Sequence, residues 1–446
     1  MYKIGFISLG CPKNLTDTES MIGLLSGQYE IVNDPMQADI IIVNTCGFIE
    51  SAKQESIDTV LEMAQYKKRG RLKKLIVTGC LAQRYHEELL KEIPEADAVV
   101  GTGSYQNILD AVTNVLKGET AQLLDDINGE IPEDLPRTLS TPSYTAYLKI
   151  ADGCDNHCTY CIIPFLRGRY RSRRMEKILE EARSLADRGV SELIVIAQDT
   201  TGYGTDLYEE QKLPQLLEKL SEIEGIHWIR LHYCYPERVT DKLIKAMAEN
   251  PKVCRYIDIP MQHASDKILK RMGRHVTKEN LVRLVQKLRK AMPDITIRTT
   301  FITGFSGETE EDFAELYDFV KEMKFERMGV FPFSLEEGTP AEKLDGVVEE
   351  ETKKKRADKL LELQQNISLE NNRRKIGEMV MTLCEGQLRD GRYVGRTVGD
   401  SPDIDGKVVF EGDNIKTGQY VNVLITEASE YDLEGKIPEN FEEEDL

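Results

Sequence analysis

The sequence has no long hydrophobic run. In its 446 residues no apolar stretch reaches the roughly 18 residues that a membrane-spanning helix needs, so we expect no membrane segment. Positive charge is also scarce, because 58 Lys and Arg stand against 77 Asp and Glu and the formal net charge is −19. A protein that binds a polyanion needs a local excess of basic residues, so this charge argues against nucleic acid as the primary partner.

Several familiar signatures are missing too. The glycines at 101–103 lack the third glycine of a dinucleotide-binding fingerprint, and no P-loop occurs. The chain begins directly with a strand-like pattern and shows no signal peptide. Its nine cysteines, an odd number, therefore indicate metal ligation in a reducing compartment rather than disulfides, and we expect a cytoplasmic protein.

Three of these cysteines lie within eight residues of one another. Cys154, Cys158 and Cys161 form a C-x3-C-x2-C loop directly after the apolar run 144–150. Thiolates are soft ligands, so three on one short loop favour a soft metal centre such as a 4Fe–4S cluster. Three protein ligands leave one iron open, much as a catalytic zinc keeps one position free for substrate.

Other interpretations of this loop fit less well. A disulfide needs cysteine pairs, and a structural zinc site normally takes four ligands in two pairs, whereas no second C-x2-C or H-x3-H follows. His157 could complete a zinc site, but it lies inside the loop itself. A non-catalytic scaffold with structural metals is the remaining alternative, and it would leave each metal incompletely ligated.

The first 135 residues alternate strand-like runs with helix-length stretches, which predicts a parallel α/β sheet. Strands are expected at 4–9, 38–44 and 74–78, and helices near 17–27, 49–68 and 82–92. One cysteine follows each strand, namely Cys11, Cys46 and Cys80. Because the carboxyl ends of parallel strands share one edge, we interpret these thiols as ligands of a second cluster. The alternative is three buried cysteines that act as small hydrophobic residues.

A linker rich in Asp, Glu, Gly and Pro (118–140) precedes a second alternating region, 140–375. Strands are expected there at 145–151, 192–198, 226–233, 255–261, 296–303 and 327–333. Helices are expected near 174–188, 211–223, 237–249, 277–290 and 308–323. Six units are too few for an eightfold barrel, so we predict an open (β/α)6 barrel with its chemistry at the carboxyl ends of the strands.

The predicted barrel strands carry polar side chains toward their ends, and each could line a cavity or merely satisfy loop backbone. They are Gln198, Asp199, His232, Gln262, His263, Arg298 and Thr300. Gly304 begins a glycine-containing turn that leads into a helix with acidic residues in its first turn, where the helix dipole favours them. The three remaining cysteines, Cys234, Cys254 and Cys384, are expected to be buried thiols without a role in the site.

The C-terminal region predicts a small antiparallel β-barrel after a charged helix at 349–374. Its strands are expected at 379–383, 392–395, 407–410 and 420–425. Residues 376–446 hold 17 acidic and 6 basic residues, a net charge of −11, and the sign persists without the acidic run 442–445. Such a surface suits a basic protein partner better than RNA.

The two cysteine sets together resemble the radical S-adenosylmethionine (SAM) methylthiotransferases over nearly the whole chain. The family's cluster ligands correspond to Cys11, Cys46 and Cys80 and to the C-x3-C-x2-C loop, which continues into Pro164-x2-Arg167-Gly168. Within the family, the stretches 8–15, 197–201 and 258–263 resemble the subgroup that acts on ribosomal protein S-twelve of the small subunit. The transfer-RNA subgroup usually has Gln and Met after its first cysteine, whereas Pro12 and Lys13 stand here.

The resemblance implies three domains: a methylthiotransferase N-terminal domain (1–135), a radical SAM core (140–375) and a TRAM-like β-barrel (376–441). It also implies two 4Fe–4S clusters and SAM as cofactors. Residues that would contact SAM are Tyr160, Gln198, Arg298 and Gly304.

The implied reaction is methylthiolation of the β-carbon of an aspartate of S-twelve. By resemblance, the barrel cluster cleaves SAM to a radical that removes a hydrogen atom, and the N-terminal cluster supplies a sulfur that a second SAM methylates. The implied electron donor is a flavodoxin or a ferredoxin. The alternative is a transfer-RNA adenosine methylthiotransferase with the same chemistry.

Overall fold

The computed structural model describes residues 1–438, so the acidic run 442–445 and the last residues of the predicted 376–441 domain lie outside the described residues. Two six-stranded parallel sheets follow one another along the chain, and a closed five-stranded barrel comes last. This arrangement confirms the predicted fold class. Among residues 1–438, no helix is both long and apolar enough to cross a membrane.

The first sheet contains six strands, three more than the apolar runs predict. Its strands are β1 (Lys3–Ser8), β2 (Glu30–Val32), β3 (Ile40–Thr45), β4 (Lys74–Gly79), β5 (Ala98–Val100) and β6 (Ala121–Leu123). The helices that cover its two faces are α1 (Pro12–Leu25), α2 (Glu50–Ala64), α3 (Tyr66–Arg69), α4 (Cys80–Arg84), α5 (His86–Glu92) and α6 (Ile108–Leu116). Strands β2, β5 and β6 have three residues each, too few to stand out as apolar runs, and β6 lies in the stretch predicted as a linker.

The order of this sheet is β2-β1-β3-β4-β5-β6, and all neighbouring strands are parallel. Strand β3 is buried along its whole length, and apolar side chains pack against both faces of the sheet. The strand order reverses between β1 and β3, which is where open α/β sheets form a crevice at their carboxyl edge. The neighbouring strands β1, β3 and β4 end at this crevice.

The second sheet is the open barrel, with the order β14-β13-β12-β11-β10-β7 and parallel pairing throughout. Its strands and the small β8–β9 ribbon are β7 (Thr145–Lys149), β8 (Ala151–Asp152), β9 (Arg171–Ser172), β10 (Glu192–Ile196), β11 (Trp228–Leu231), β12 (Val253–Asp258), β13 (Thr296–Thr303) and β14 (Arg327–Pro332). Its helices are α7 (Ile163–Arg167), α8 (Met175–Asp187), α9 (Leu213–Ser221), α10 (Asp241–Glu249), α11 (Asp266–Arg271), α12 (Lys278–Ala291), α13 (Glu310–Met323) and α14 (Glu350–Arg373). A single large apolar core packs the strands against these helices.

The third unit is a closed barrel with the strand order β15-β16-β17-β19-β18. Its strands are β15 (Met379–Gln387), β16 (Tyr393–Thr397), β17 (Val408–Glu411), β18 (Tyr420–Ala428) and β19 (Leu433–Lys436). Four of these strands match predicted runs, and β19 was not predicted. Most pairs are antiparallel, whereas β17 and β19 pair in parallel and close the barrel.

The closed barrel is joined to the open barrel by buried charge. Glu192, the first residue of β10, accepts hydrogen bonds from Arg230 at 3.0 Å and from Arg396 of β16 at 2.9 Å. The loop 398–405 that follows β16 continues along the inside of the open barrel. There the Ser401 hydroxyl lies 2.9 Å from His232 Nε2, and Asp405 pairs with Arg298 at 3.4 Å. The C-terminal unit therefore forms part of the interior of the open barrel.

Candidate functional site

The first three predicted thiols lie at the crevice of the N-terminal sheet. Cys11 precedes α1, Cys46 follows β3 directly, and Cys80 is the first residue of α4. The loops approach closely at Gly10, whose φ is +83°. A Cβ atom there would lie 2.9 Å from Cys46 Cβ and 3.1 Å from Cys46 Sγ. Glycine is therefore required to bring the first two cysteines together.

Burial governs the acidity of these thiols. It raises the pKa of Cys46, and it raises the pKa of Cys80 to about 12 although the Arg167 guanidinium opposes the shift. Negative charge on Cys11 would raise the pKa of both further, which reflects how near the three sulfurs lie to one another. The Cys80 thiol also lies 3.7 Å from Asn14 Oδ1.

The second three thiols lie on the loop between β8 and α7, at the carboxyl end of the first barrel strand. Backbone hydrogen bonds hold this loop, including Cys161 N–H to Cys158 carbonyl at 3.0 Å and Cys154 N–H to Gly168 carbonyl at 3.1 Å. Burial raises the pKa of Cys154 to about 11 and raises that of Cys161 as well. The loop is therefore a fixed structure that presents three neighbouring sulfurs.

Two side chains from neighbouring barrel units contact the middle thiol. The Tyr235 hydroxyl lies 3.6 Å from Cys158 Sγ, and Arg274 Nη1 lies 4.0 Å from the same sulfur. The Arg274 guanidinium also lies 3.9 Å from the centroid of the Tyr235 ring. The positive charge of Arg274 beside Cys158 suits an anionic metal centre at this position.

The two sets of thiols face each other across helix α7. Ile162 and Leu166 pack directly against Cys80, although they follow Cys161 in the chain. Thr102 of the N-terminal sheet donates a hydrogen bond to the Leu166 carbonyl at 2.5 Å. The carboxyl edge of the first sheet therefore packs against α7, directly after the C-x3-C-x2-C loop.

A buried ionic network fixes this arrangement. The carboxylate of Asp17 in α1 accepts hydrogen bonds from Lys149 of β7 at 2.5 Å and from Arg167 of α7 at 2.6 Å. Asp152 contacts the same two cations at 3.1 and 3.4 Å. A second ionic contact joins the two units at Glu336, whose carboxylate forms ion pairs with Lys53 and Arg84 of the N-terminal unit. Because each charge has opposite partners, the network resists separation of the two units.

The thiols fit iron–sulfur clusters better than they fit a single ion. All nine cysteines are free. Among residues 1–438, no group of three or more His, Cys, Asp or Glu side chains is arranged to hold one metal ion. His157 is exposed rather than directed at a metal position. Each set offers three soft sulfur donors and no fourth ligand, which is the donor set of a cluster with one open iron.

Three of the four residues predicted to contact SAM, Tyr160, Gln198 and Gly304, follow the carboxyl ends of barrel strands, whereas Arg298 is the third residue of β13. The Tyr160 ring packs edge-on against Phe305 at 6.3 Å. Gln198 donates to Asp152 at 2.7 Å, and its buried Oε1 has no hydrogen-bond partner among the described residues. This free acceptor fits a ligand that carries a hydrogen-bond donor.

The other two predicted residues are more constrained. Arg298 is held between Asp258 at 3.2 Å and Asp405 at 3.4 Å. Gly304 has φ +70°, and a Cβ atom there would meet Lys353 of α14, so the turn packs closely on that helix. The Gly304 N–H donates to Glu308 at 2.8 Å, which leaves only its other backbone atoms for a ligand.

Lys13 also lies at this site, although the sequence alone assigned it no role there. It lies in the first turn of α1, is only 7% exposed, and places its ammonium group 3.2 Å from the centroid of the Tyr233 ring. Burial lowers the pKa of Lys13, while nearby Cys11 and Asp258 act in the opposite direction. The signals in the sequence were its position two residues after Cys11 and the Pro12-Lys13 pair, which departs from the transfer-RNA subgroup.

Comparison with known proteins matches all three units. The Uncharacterized protein family UPF0004 matches residues 3–101, the Radical SAM superfamily 148–320, and the TRAM domain 376–437. The ribosomal protein uS12 methylthiotransferase RimO of Clostridioides difficile is 54% identical over 439 residues, which cover 98% of this chain and 99% of the relative. The protein of the same name from Desulforamulus reducens is 53% identical, over 98% of this chain and 100% of the relative.

The chain belongs to the RimO family. It is a radical SAM methylthiotransferase, and the cofactors of such an enzyme are SAM and 4Fe–4S clusters. Among solved structures, the radical SAM methyltransferase TsrM from Kitasatospora setae, with cobalamin and a [4Fe-4S] cluster bound, has a TM-score of 0.56. It is 14% identical and covers 84% of this chain and 79% of its own, so the likeness concerns the fold.

Proposed function

We propose that this chain methylthiolates the β-carbon of an aspartate of ribosomal protein uS12. The observation that carries the proposal is the pair of three-thiol sites that face each other across α7, because sulfur insertion needs hydrogen removal and sulfur supply at one substrate atom. Identity of about one half to the RimO relatives over nearly their full length supports the choice of substrate.

Each set of thiols has a separate role in this proposal. Cys154, Cys158 and Cys161 hold the radical cluster, and Cys11, Cys46 and Cys80 hold the sulfur-supplying cluster. When bound, these groups and SAM supply the 5′-deoxyadenosyl radical and the methylated sulfur. The protein orients the substrate between them and keeps water away from the reacting carbon.

The SAM site belongs to the barrel mouth in this proposal. Tyr160 and Gln198 reach it from the loops after the first two barrel strands, and the free Gln198 Oε1 accepts a hydrogen bond from the ligand. Arg298 acts from within β13, and Gly304 provides a turn that is small enough to pass beside the nucleoside. Arg274 and Tyr235 stabilise the charge at Cys158.

The proposal includes a cellular setting and a domain division. A cytoplasmic location agrees with nine free cysteines. A flavodoxin or a ferredoxin supplies the electron, and the acidic chain, with its net charge of −19, attracts a basic ribosomal protein. The methylthiotransferase domain spans 1–135, the radical SAM core 140–375 and the TRAM-like barrel 376–441, of which residues 439–441 lie outside the described part.

Mass spectrometry of uS12 tests the proposal directly. The ribosomal protein is purified after co-expression with the chain and searched for an added methylthio group on an aspartate. The expected result is a modified fraction that disappears when Cys154 is changed to Ala. Unmodified uS12 with a fully reconstituted enzyme would contradict the proposal.

The alternative is methylthiolation of adenosine in transfer RNA, which the full-length uS12 methylthiotransferase relatives do not favour. Filter binding with transfer RNA at several salt concentrations separates the two. Phosphate contacts make RNA binding fall steeply with salt, so tight and strongly salt-dependent binding would favour the RNA substrate. The acidic charge of the chain leads us to expect weak binding at every concentration.

A further inference from the structure

Lys13 is a buried cation that its surroundings leave without an ionic partner. Among residues 1–438, its ammonium group forms no ion pair and no hydrogen bond to a side chain, and it lies 3.2 Å from the centroid of the Tyr233 ring. A cation–π contact is weak compared with the cost of withdrawing an ammonium group from water, so the ring alone does not offset the burial of Lys13.

The neighbouring carboxylates are already engaged elsewhere. The Asp258 carboxylate accepts hydrogen bonds from Arg298 at 3.2 Å and from the Tyr233 N–H at 3.2 Å. The Asp152 carboxylate accepts hydrogen bonds from Lys149, Arg167 and Gln198. These groups contribute a negative field around Lys13, but none of them contacts its ammonium group. The position is therefore suited to an anion that arrives from outside the chain.

The backbone around the contact is built to hold the ring in place. Tyr233 follows β11 with φ +59°, a left-handed conformation that is strained for a residue with a side chain. Its N–H bond to Asp258 and the hydrogen bond from the Thr200 N–H to its carbonyl at 3.0 Å fix that conformation. This backbone conformation directs the Tyr233 ring toward the N-terminal unit, where the Lys13 ammonium group lies over its face.

We propose that Lys13 binds the carboxylate of the aspartate whose β-carbon is modified. The inference rests on the proposed function, because it takes its ligand from the uS12 substrate. The β-carbon is one bond from the carboxylate carbon, and Lys13 is two residues from Cys11 of the sulfur-supplying site. An ion pair at Lys13 therefore holds the reacting carbon beside the sulfur and gives preference to a substrate residue with a negative charge.

The competing role for Lys13 is to neutralise the cluster held by Cys11. The two roles differ in what a neutral side chain changes. Loss of cluster neutralisation lowers the iron content whatever the substrate. Loss of a carboxylate subsite lowers affinity only for a peptide that carries the carboxylate.

The test compares Lys13→Met with wild-type enzyme, both as full-length, anaerobically reconstituted protein. Affinity is measured by calorimetry for a uS12 loop peptide with Asp at the target position and for the same peptide with Asn there. Charged hydrogen bonds contribute about 1.5–3 kcal/mol, so we expect the wild type to prefer the Asp peptide by roughly 10- to 100-fold. Lys13→Met should bind both peptides with the affinity that the wild type has for the Asn peptide.

Two further variants serve as controls. Lys73 also lies over an aromatic ring, that of Tyr2 at 4.9 Å, but at the opposite edge of the sheet, so Lys73→Met should keep the preference for Asp. Lys13→Arg keeps the charge and should retain most of the preference. Iron and sulfide contents of all variants should equal those of the wild type.

Three outcomes would overturn the inference. The first is a Lys13→Met enzyme that still prefers the Asp peptide, and the second is a variant that loses both peptides equally. The third is iron loss confined to Lys13→Met, which would assign Lys13 to cluster neutralisation. If the wild-type enzyme modifies uS12 and Lys13→Met shows any of these three results, only the inference about Lys13 is refuted. If the wild-type enzyme itself does not methylthiolate uS12, the proposed function is refuted.

Discussion

At the scale of single residues, burial raises the pKa of four of the six thiols. The pKa rises for Cys46 and Cys161, and it rises to about 12 for Cys80 and to about 11 for Cys154. These four free thiols are therefore protonated at neutral pH and are poor nucleophiles. Iron reverses this preference because it binds the thiolate and releases the proton. The pockets thus protect the cysteines until a cluster is built.

Replacing a cysteine of each set should impair a different step of the reaction. Cys154→Ala should abolish reductive cleavage of SAM, because it removes a ligand of the radical cluster. Cys46→Ala should keep cleavage measurable and end sulfur insertion. The readouts are 5′-deoxyadenosine formation and methylthiolated uS12.

The control for both variants is Cys384→Ala, a buried thiol of the C-terminal barrel that should leave both activities intact. Methylthiolation by either Cys154→Ala or Cys46→Ala would show that two separate clusters are not required.

Gly10→Ala should damage the N-terminal cluster selectively. The new Cβ would press on Cys46 at 2.9 Å, in addition to backbone strain of about 1–3 kcal/mol at φ +83°. We expect lower iron content with normal SAM cleavage. Gly118→Ala is the matched control, because Gly118 has φ +87° and nothing within 4 Å of the position of a Cβ. Equal iron loss in both variants would mean that strain, not the contact with Cys46, is responsible.

The sequence revealed the cysteines but not the residues that organise them. Metal ligands repeat at short spacings or follow strands, and both patterns can be read along the chain. Arg167 and Asp17 are 150 positions apart, and their ion pair depends on how two sheets dock. Lys13 belongs to the same class, because its partner ring at Tyr233 comes from another sheet. Pairings of this kind need the tertiary structure.

At the scale of elements, helix α7 connects the two sets of thiols, because it follows Cys161 in the chain and packs against Cys80. Its five residues were too few to predict as a helix, as were the six of α11. The long parallel strands were predicted within a few residues, since buried β-branched runs are unambiguous. Strands β2, β5, β6 and β19 have three or four residues and were missed, because their stability comes from neighbours rather than from their own composition.

Asp17→Asn should loosen the contact between α1 and α7. It leaves the buried cations Lys149 and Arg167 with less negative charge, and breaking such a pair costs about 3–5 kcal/mol. We expect SAM cleavage to continue while methylthiolation per cleavage event falls at least about tenfold, as expected for a small misplacement of reacting groups.

The matched control is Glu30→Gln, which breaks the exposed Lys3–Glu30 pair at 2.9 Å. Exposed pairs contribute about 0–1 kcal/mol, so both activities should remain. Unchanged coupling in Asp17→Asn would show that the ionic network does not set the distance between the two sites.

At the scale of the whole molecule, Glu192 holds the C-terminal barrel to the open barrel. Burial alone would raise the pKa of Glu192, but the guanidinium groups of Arg396 and Arg230 lower it to about 2. A carboxyl group with a lowered pKa stabilises the folded state above its unfolded pKa of 4.5. That contribution is lost as the pH falls toward 2.

Glu192→Gln should therefore lower the free energy of unfolding by about 3–5 kcal/mol at neutral pH, because it leaves the buried Arg230 without a carboxylate partner and Arg396 with Glu385 alone. The gap between wild type and variant should be constant above pH 4.5 and should narrow as the pH falls toward 2. Chemical denaturation at a series of pH values measures the gap. A gap that stays constant down to the lowest pH would show that folding does not lower the pKa of Glu192.

The loop 398–405 has a consequence for how the enzyme is made. Ser401 and Asp405 complete the inner wall around His232 and Arg298, although Ser401 follows His232 by 169 positions in the chain. During translation the barrel strands leave the ribosome long before this loop does. The inside of the barrel is therefore finished only after the C-terminal unit has been made, and a chain truncated before that unit lacks part of the inner wall rather than an appendage.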